Sequence, residues 1–294
     1  MKHAMLMTIN NNIEILKLFI ELFDDKRYDF YILIDKKADI SKEDMFKLSS
    51  KNSKIIFLPK RNIFWGGYSQ IDAYLELLEE SSKNNYDYYH FFQGSDFPLR
   101  TKDEVDVFFE KNKGKEFINI YKNDFAKYKC CYYHLFVETP SYRSNIFIKA
   151  ANHFFVKIQK IINIKRNNDM ELYHGSALNS LTHDCVKYVC GIRSKIKERF
   201  CFSLGADEVF LQTIIAASPF AEKIYRFENS IEANCRLIDW QRREGNSPYT
   251  YTYEDFEDLL NFGEGICFCR KVTEEKSIEL VKKLYSYLKG KEKI

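Results

Sequence analysis

The chain is short of the features that most readily betray a function. Its 294 residues contain only 5 prolines and 11 glycines, and no apolar run long enough to cross a bilayer. Asn10, Asn11 and Asn12 interrupt the first apolar stretch too early for the core of a signal peptide. None of the 8 cysteines forms a C-x-x-C pair, which argues against a zinc ribbon or a thioredoxin-like redox centre. G-x-x-x-x-G-K-[ST], G-x-G-x-x-G and G-x-S-x-G are all missing, so the usual phosphate loops and the serine-hydrolase elbow are excluded. Charge of either sign is not in excess: 45 basic against 42 acidic residues leave a net +3, and nothing in that balance calls for nucleic acid. These absences predict a cytoplasmic protein with reduced thiols, compatible with peripheral contact at the inner face of the cell membrane.

What is present is apolar and aromatic matter in an alternating arrangement. Hydrophobic residues make up 45% and aromatics 16% of the chain, ample for a core. Short apolar runs ("AMLMTI", "FYILID", "KIIFLP", "YYHFFQ", "FINIY") alternate over the first 125 residues with helical patterns such as "IEILKLFIELF" and "YSQIDAYLELLEE". Runs apolar at consecutive positions predict strands buried on both faces, hence an α/β protein whose mostly parallel central sheet is flanked by helices. Residues 122–168 are basic and aromatic without clear period. Beyond them "RFCFSL", "CRLIDW" and "ICFCRK" read as strands, "EVFLQTIIAA" and residues 253–260 and 274–288 as helices. With no repeat and no linker, a single domain over 1–294 is expected. About 1–125 would form its nucleotide-binding half and about 126–294 its acceptor and catalytic half.

In an open parallel sheet, ligands bind beyond the carboxyl ends of the strands, so the junctions there carry the candidates. Asp35 closes "YILID", where it could accept hydrogen bonds from a ribose or be an ordinary turn acid. "GSDFP" (Ser95, Asp96) is a tight polar loop, and "FWGGYSQ" (Trp65, Gly66, Gly67) permits close backbone approach at a helix start. Arg236, Arg242, Arg243, Arg270 and Lys271 late in the chain could cradle a phosphate or form a solvated basic face. In "SLGADEVF", Asp207 is read as the N-cap of the following helix, and Glu208 is either a candidate base or a helix-start acid that complements the dipole. His90, His134, His174 and His183 lack ligand spacing and read as core or pocket wall. Asp-x-Asp, the usual metal element of sugar-nucleotide transferases, occurs nowhere.

Taken in order, "MKHAMLMTINNNIEILKLFIELFDD…YILIDKKAD", "WGGYSQIDAYLELL", "YYHFFQGSDFPLRT", "YHGSALNSLTHDCVKYV", "SLGADEVFLQTI", "RLIDW" and "CFCRK" resemble the core-2/I-branching N-acetylglucosaminyltransferase family, which also contains peptide O-xylosyltransferase; the bacterial members are closest in style. The resemblance implies a GT-A-like fold, a UDP-sugar donor, inversion at the anomeric carbon, and neither a metal nor any other cofactor. It marks Glu208 as catalytic base, Arg236 and Lys271 as holders of the donor diphosphate, Asp35 as the acid near the uridine, and Trp65, Gly66, Gly67, Ser95 and Asp96 as donor-side walls. Trp240 and Tyr249 are candidates for stacking on the acceptor. Leu178 and Asn179 stand where the family pattern calls for an aromatic, and neither the animal members' disulfide framework nor their membrane anchor is apparent.

The expected activity is transfer of N-acetylglucosamine from UDP to a glycan or lipid-linked glycan in bacterial surface-polysaccharide synthesis. Xylose or another UDP-sugar is the alternative within the class, and a non-catalytic glycan or nucleotide-sugar binding module the alternative outside it.

Overall fold

Alternate residues of the first strand face opposite ways, and both sets are apolar. In β1 (His3–Ile9), Met5, Met7 and Ile9 join one core cluster, while Ala4 and Leu6 join another. A strand with two apolar faces needs a layer on each side. The computed structural model, which describes residues 1–263 and 265–292, supplies both layers.

β1 pairs in parallel with β2 (Tyr28–Asp35) and with β4 (Tyr88–Gln93), and β2 pairs in parallel with β3 (Ile55–Arg61). Two antiparallel strands extend the far edge, β9 (Asn179–Thr182) and β6 (Phe117–Ile118), giving the order β3-β2-β1-β4-β9-β6. A second sheet sets β10 (Arg236–Ile238) parallel to β11 (Phe268–Arg270), which runs antiparallel to β5 (Asp96–Pro98). β7 (Tyr121–Lys122) and β8 (Tyr173–His174) form a small ribbon. This mostly parallel, helix-flanked sheet is the α/β architecture expected of a GT-A-like transferase.

One face of the main sheet is covered by α1 (Ile13–Leu22), α4 (Lys102–Lys111) and α11 (Glu274–Lys291), through residues such as Phe19, Phe109 and Leu284. Between α1 and α4 in sequence lie α2 (Lys42–Lys47) and α3 (Tyr68–Ser81). The opposite face is covered by α3, α7 (His183–Gly191) and α9 (Phe210–Ala216), with Ile71, Tyr74, Val186 and Phe210 in that core. Ile71, Tyr74, Leu75 and Leu78 are the residues whose spacing predicts α3, and all four are buried. α10 (Phe256–Leu260) follows a 3-10 turn at Tyr253–Asp255, as the pattern over 253–260 suggests.

One strand expectation fails. "RFCFSL" is not a strand: α8 (Arg193–Phe200) ends inside it and the chain then turns, leaving Phe200 buried and Phe202 exposed. A short apolar run at a helix end has the composition of a strand, and only the absence of a pairing edge tells them apart. Residues 122–168, without legible period, contain α5 (Asp124–Cys130) and the 16-residue α6 (Ile146–Ile161). The buried side of α6 includes Asn152 and Gln159, so its inner face is partly polar. Gln159 accepts from the Tyr133 N–H and donates to the Tyr133 carbonyl, both at 2.8 Å. Phe147, Phe154 and Ile161 point outward instead.

Candidate active site

Glu208 ends a 3-10 turn, Ala206–Glu208, that Gly205 opens with a φ of 58°. Three segments close around it. The Gly205 N–H donates to the Gly66 carbonyl at 2.6 Å, the Leu204 N–H to the Lys129 carbonyl at 3.0 Å, and the Gly175 N–H to the Glu208 carbonyl at 2.9 Å. A Cβ at Gly175 would lie 1.8 Å from the Asn119 carbonyl oxygen, so no other residue lets "YHGSA" pass this closely.

The Glu208 side chain is 38% exposed, and two groups hold one of its oxygens. Lys129 Nζ, from the last turn of α5, donates to Oε2, and His174 Nε2 lies 3.4 Å from the same atom. His174 Nδ1 in turn meets the Tyr121 hydroxyl at 3.0 Å. Burial alone would raise the Glu208 pKa. His174 and Lys129 outweigh it, and the carboxyl is held below its ordinary range, ionised.

Asp207 is not the helix N-cap that its position suggests. α9 starts after Val209 with no side-chain cap. Asp207 instead lines a cleft over the carboxyl ends of β1 and β4, with Thr8, Gln70, Tyr74, Gln93 and Ala177 among its neighbours. Burial, reinforced by the adjacent Glu208 charge, pushes its pKa up. Two adjacent carboxyls are thus driven apart, one towards the neutral acid and one kept as the anion, by which of them meets Lys129 and His174.

The pair of cations expected on a donor diphosphate is not reproduced. Arg236 is fully buried. Its guanidinium donates to Ser180 Oγ at 2.8 Å, to the Asn179 carbonyl at 2.7 Å and to the Asn234 carbonyl, and it packs against the rings of Phe92 and Phe268. The reason is its place as the first residue of β10, with its side chain drawn beneath β4 and β9. As folded it has no face for a ligand. Arg270 is committed too, bonded to Asp96 at 3.2 Å and to Gln93 Oε1 at 2.7 Å, and Arg242 is paired with Asp239 and Asp255.

Lys271 is half-buried, with only Ser247 Oγ at 3.3 Å as a partner among the described residues. Burial, then the charges of Arg270 and Arg143, lower its pKa, the mark of a cation in an under-compensated positive field. Arg143, whose charge acts on Lys271, lies 5.5 Å over the Trp65 ring. Arg243 is exposed and belongs to no ion pair among the described residues.

The remaining expected positions divide. Asp35 closes β2 at the ligand-binding edge, but Lys37 Nζ takes both of its oxygens at 2.8 Å. Gly66, at φ 75°, supplies the carbonyl that ties "WGG" to "GADE". Gly67 faces no open approach: the Glu138 carboxylate already accepts from the Ser69 N–H at 2.8 Å at the start of α3. Ser95 ties "GSDFP" to "CFCRKV" by accepting from the Val272 N–H at 2.9 Å, while Asp96 is a buried structural acid that fixes Arg270 and the Gln93 N–H. Trp240 is half exposed, and the Tyr249 ring lies 3.9 Å from the Arg242 guanidinium. Among the described residues neither Trp240 nor Tyr249 shares a hydrogen bond or ring contact with the Glu208 group.

Lys129, Arg143 and Glu138 come from the segment that shows no period, and His174 reads from the sequence as core or pocket wall. A signal was present in "YHGSA", since its crowded glycine places the preceding histidine beside the acid.

Comparison with known proteins agrees with the motif order. The family model described as Core-2/I-Branching enzyme matches residues 4–260. Xylosyltransferase 2 of Bos taurus is 22% identical over 307 residues, covering 97% of this chain and 33% of that protein. Xylosyltransferase 1 of Homo sapiens is 22% identical over 292 residues, covering 90% and 28%. The chain therefore spans about a third of the length of these relatives. Among solved structures, mouse Xyloside xylosyltransferase 1 superposes with a TM-score of 0.39 at 12% identity, over 91% of this chain and 96% of that one. The glycosyltransferase GlyE of Streptococcus pneumoniae TIGR4 gives 0.42 at 11% identity, over 97% and 60%. Those two scores are too low to add to the sequence match. With the family model covering residues 4–260, the chain belongs to the Core-2/I-Branching enzyme family.

Proposed function

We propose that this protein is an inverting, metal-independent glycosyltransferase that moves a sugar from a UDP-sugar to a hydroxyl of a glycan acceptor. The observation that carries the reading is the Glu208 carboxylate: Lys129 and His174 hold it ionised through Oε2, and Oε1 has no partner among the described residues. An acceptor hydroxyl is a poor nucleophile until a carboxylate within hydrogen-bond reach takes its proton. A base paired with an ammonium group is weakly basic in the resting state, so the proton moves late, as the new glycosidic bond forms.

The donor lies in the cleft over β1 and β4, where Asp207 and Gln93 offer polar contacts to its sugar. Lys271, in the positive field of Arg143 and Arg270, meets the diphosphate and counters the charge that grows on UDP as the sugar–phosphate bond breaks. Fixed cations take the role that a metal ion would otherwise have, in keeping with the missing Asp-x-Asp. The named relatives are xylosyltransferases, which sets UDP-xylose beside UDP-N-acetylglucosamine as donor; the acceptor proposed is a surface glycan or its lipid-linked precursor, reached at the membrane.

The test is calorimetry of UDP, UDP-xylose, UDP-N-acetylglucosamine, UDP-galactose and UDP-glucose in EDTA, followed by turnover with the sugar that binds. Binding of one UDP-sugar without metal, and its hydrolysis or transfer by wild type but not by Glu208→Gln, is the expected result. Activity that EDTA abolishes and Mn²⁺ restores would overturn metal independence. Binding with no turnover on any acceptor would leave a sugar-nucleotide binding module.

A further inference from the structure

The outward face of α6 is the part of the surface that the chemistry above leaves unused. Phe147, Phe154 and Ile161 are 81%, 66% and 82% exposed, and Ile146, at 73%, begins the helix. With Ala151 and the half-buried Ile158 between them, positions 147, 151, 154, 158 and 161 follow spacings of four and three, a continuous apolar stripe along the helix. Ile162 and Ile164 prolong it past the last turn, both exposed. Ordinarily such a stripe faces the core, yet here the inward face carries Asn152 and Gln159.

Charge says what covers the stripe. Between Thr139 and Asn168 there is no acidic residue, while Arg143, Lys149, Lys157, Lys160, Lys165 and Arg166 are basic. Lys149, Lys157 and Lys160 are exposed; at about 100° per residue Lys157 stands beside Ile161 at the edge of the apolar stripe, and Lys149 and Lys160 follow on the same side, between the stripe and the buried side of the helix. A symmetric pairing with a second copy would set these like charges against each other with no acid in the segment to answer them. An apolar stripe edged by lysines matches instead an anionic lipid surface, where the rings and isoleucines enter the acyl boundary and the ammonium groups stay among the phosphates.

We infer that α6 and the turn after it form an in-plane membrane-docking element for anionic lipid headgroups. This gives a location to the membrane contact proposed above and requires neither donor nor acceptor to be bound. Arg143, stacked on Trp65 at the donor side, stands only two residues before Asn145, the N-cap of α6, so the docked helix leads from the lipid surface to the cleft.

The test is co-sedimentation of the purified protein with vesicles of phosphatidylcholine alone and of phosphatidylcholine with phosphatidylglycerol, at low and high salt. Expected are capture by the anionic vesicles, weaker capture by neutral ones, and release as salt screens the lysines. The triple variant Phe147→Ser, Phe154→Ser, Ile161→Ser should lose about tenfold or more in vesicle affinity, and Lys149→Glu with Lys157→Glu should abolish the preference for anionic lipid. Because these side chains are exposed, melting and UDP binding should stay as in wild type, which separates loss of docking from misfolding and from failure of the donor site. No capture by anionic vesicles, or equal capture of wild type and triple variant, overturns the inference. A wild-type dimer by light scattering that the triple variant dissolves would overturn it too, assigning the stripe to a second copy.

Discussion

Glu208 and Arg236 are both charged residues that the motif order marks as functional, and the fold treats them in opposite ways. Glu208 sits on a rim, with one carboxylate oxygen held by Lys129 and His174 and its side chain still reachable. Arg236 is sealed beneath the sheet and, among the described residues, has only neutral oxygens and aromatic faces as its hydrogen-bond and ring partners. It ends a buried chain of polar contacts: Ser180 Oγ meets His90 Nδ1 at 2.8 Å, His90 Nε2 meets His3 Nδ1 at 2.9 Å, and His3 Nε2 meets Asp106 at 3.1 Å. Burial pushes the pKa values of Arg236, His90 and His3 down. The rim keeps a charge available for chemistry, whereas the core uses one to satisfy carbonyls that nothing else would reach. A position in a motif thus says where a residue lies along the chain and leaves its accessibility open.

The contrast breaks most sharply at Glu208. Glu208→Gln should lower turnover by roughly 10²–10⁴-fold with donor affinity nearly unchanged, as for loss of a positioned base; transfer at the wild-type rate would remove the rim from the chemistry. Arg236→Met should act on stability instead. It strips the donors from Ser180, Asn179 and Asn234 and should cost about 3 kcal/mol in denaturant titration, with UDP affinity retained in the folded fraction. A variant as stable as wild type that no longer binds UDP would place Arg236 at the diphosphate after all.

Lys271→Ala should weaken UDP binding by about tenfold or more, the loss of one charge-assisted contact, and should reduce turnover as well; calorimetry and kinetics read the two separately. Lys129→Met sharpens the account of the rim. Glu208 titrates below the ordinary carboxylate range, so its basic form, and the stability its ion pair contributes, are present above that range and lost as pH falls through the depressed value. Removing the ammonium raises the Glu208 pKa, and the acid limb of the kcat profile should move to higher pH. A profile that keeps its acid limb in place would show that Lys129 does not act on the base. The smallest effect is expected from Asp207→Asn. It should shift KM for the donor by a few-fold and change the ranking of UDP-sugars while leaving the fold intact, because the side chain only lines the cleft.

The parallel sheet was legible because β1, β2 and β4 are apolar at consecutive positions, a pattern that only a sheet covered on both faces explains. α3 was legible because four apolar residues share one helical face. α6 was not: its buried side carries Asn152 and Gln159 beside Val156 while Phe147, Phe154 and Ile161 are exposed, which blurs the contrast between an apolar and a polar face by which a soluble helix is recognised. The acid of the candidate site could be read from "GADE" in the company of the other motifs. Its cation could not, since Lys129 lies 79 residues earlier in the chain and has no neighbour in sequence that points to Glu208.

By itself the sequence determined the order of the motifs, the layered α/β class and the family, because these rest on local periodicity and on residue types at set positions along one chain. The tertiary structure alone decided which charges are paired, which are sealed and which are reachable. Asp207 lines the cleft, Glu208 is held ionised, Lys271 has a single weak partner among the described residues and Arg236 serves the core. Pairing and burial are relations between residues far apart in the chain, and a charge's pKa and reach depend on the neighbours that folding brings to it.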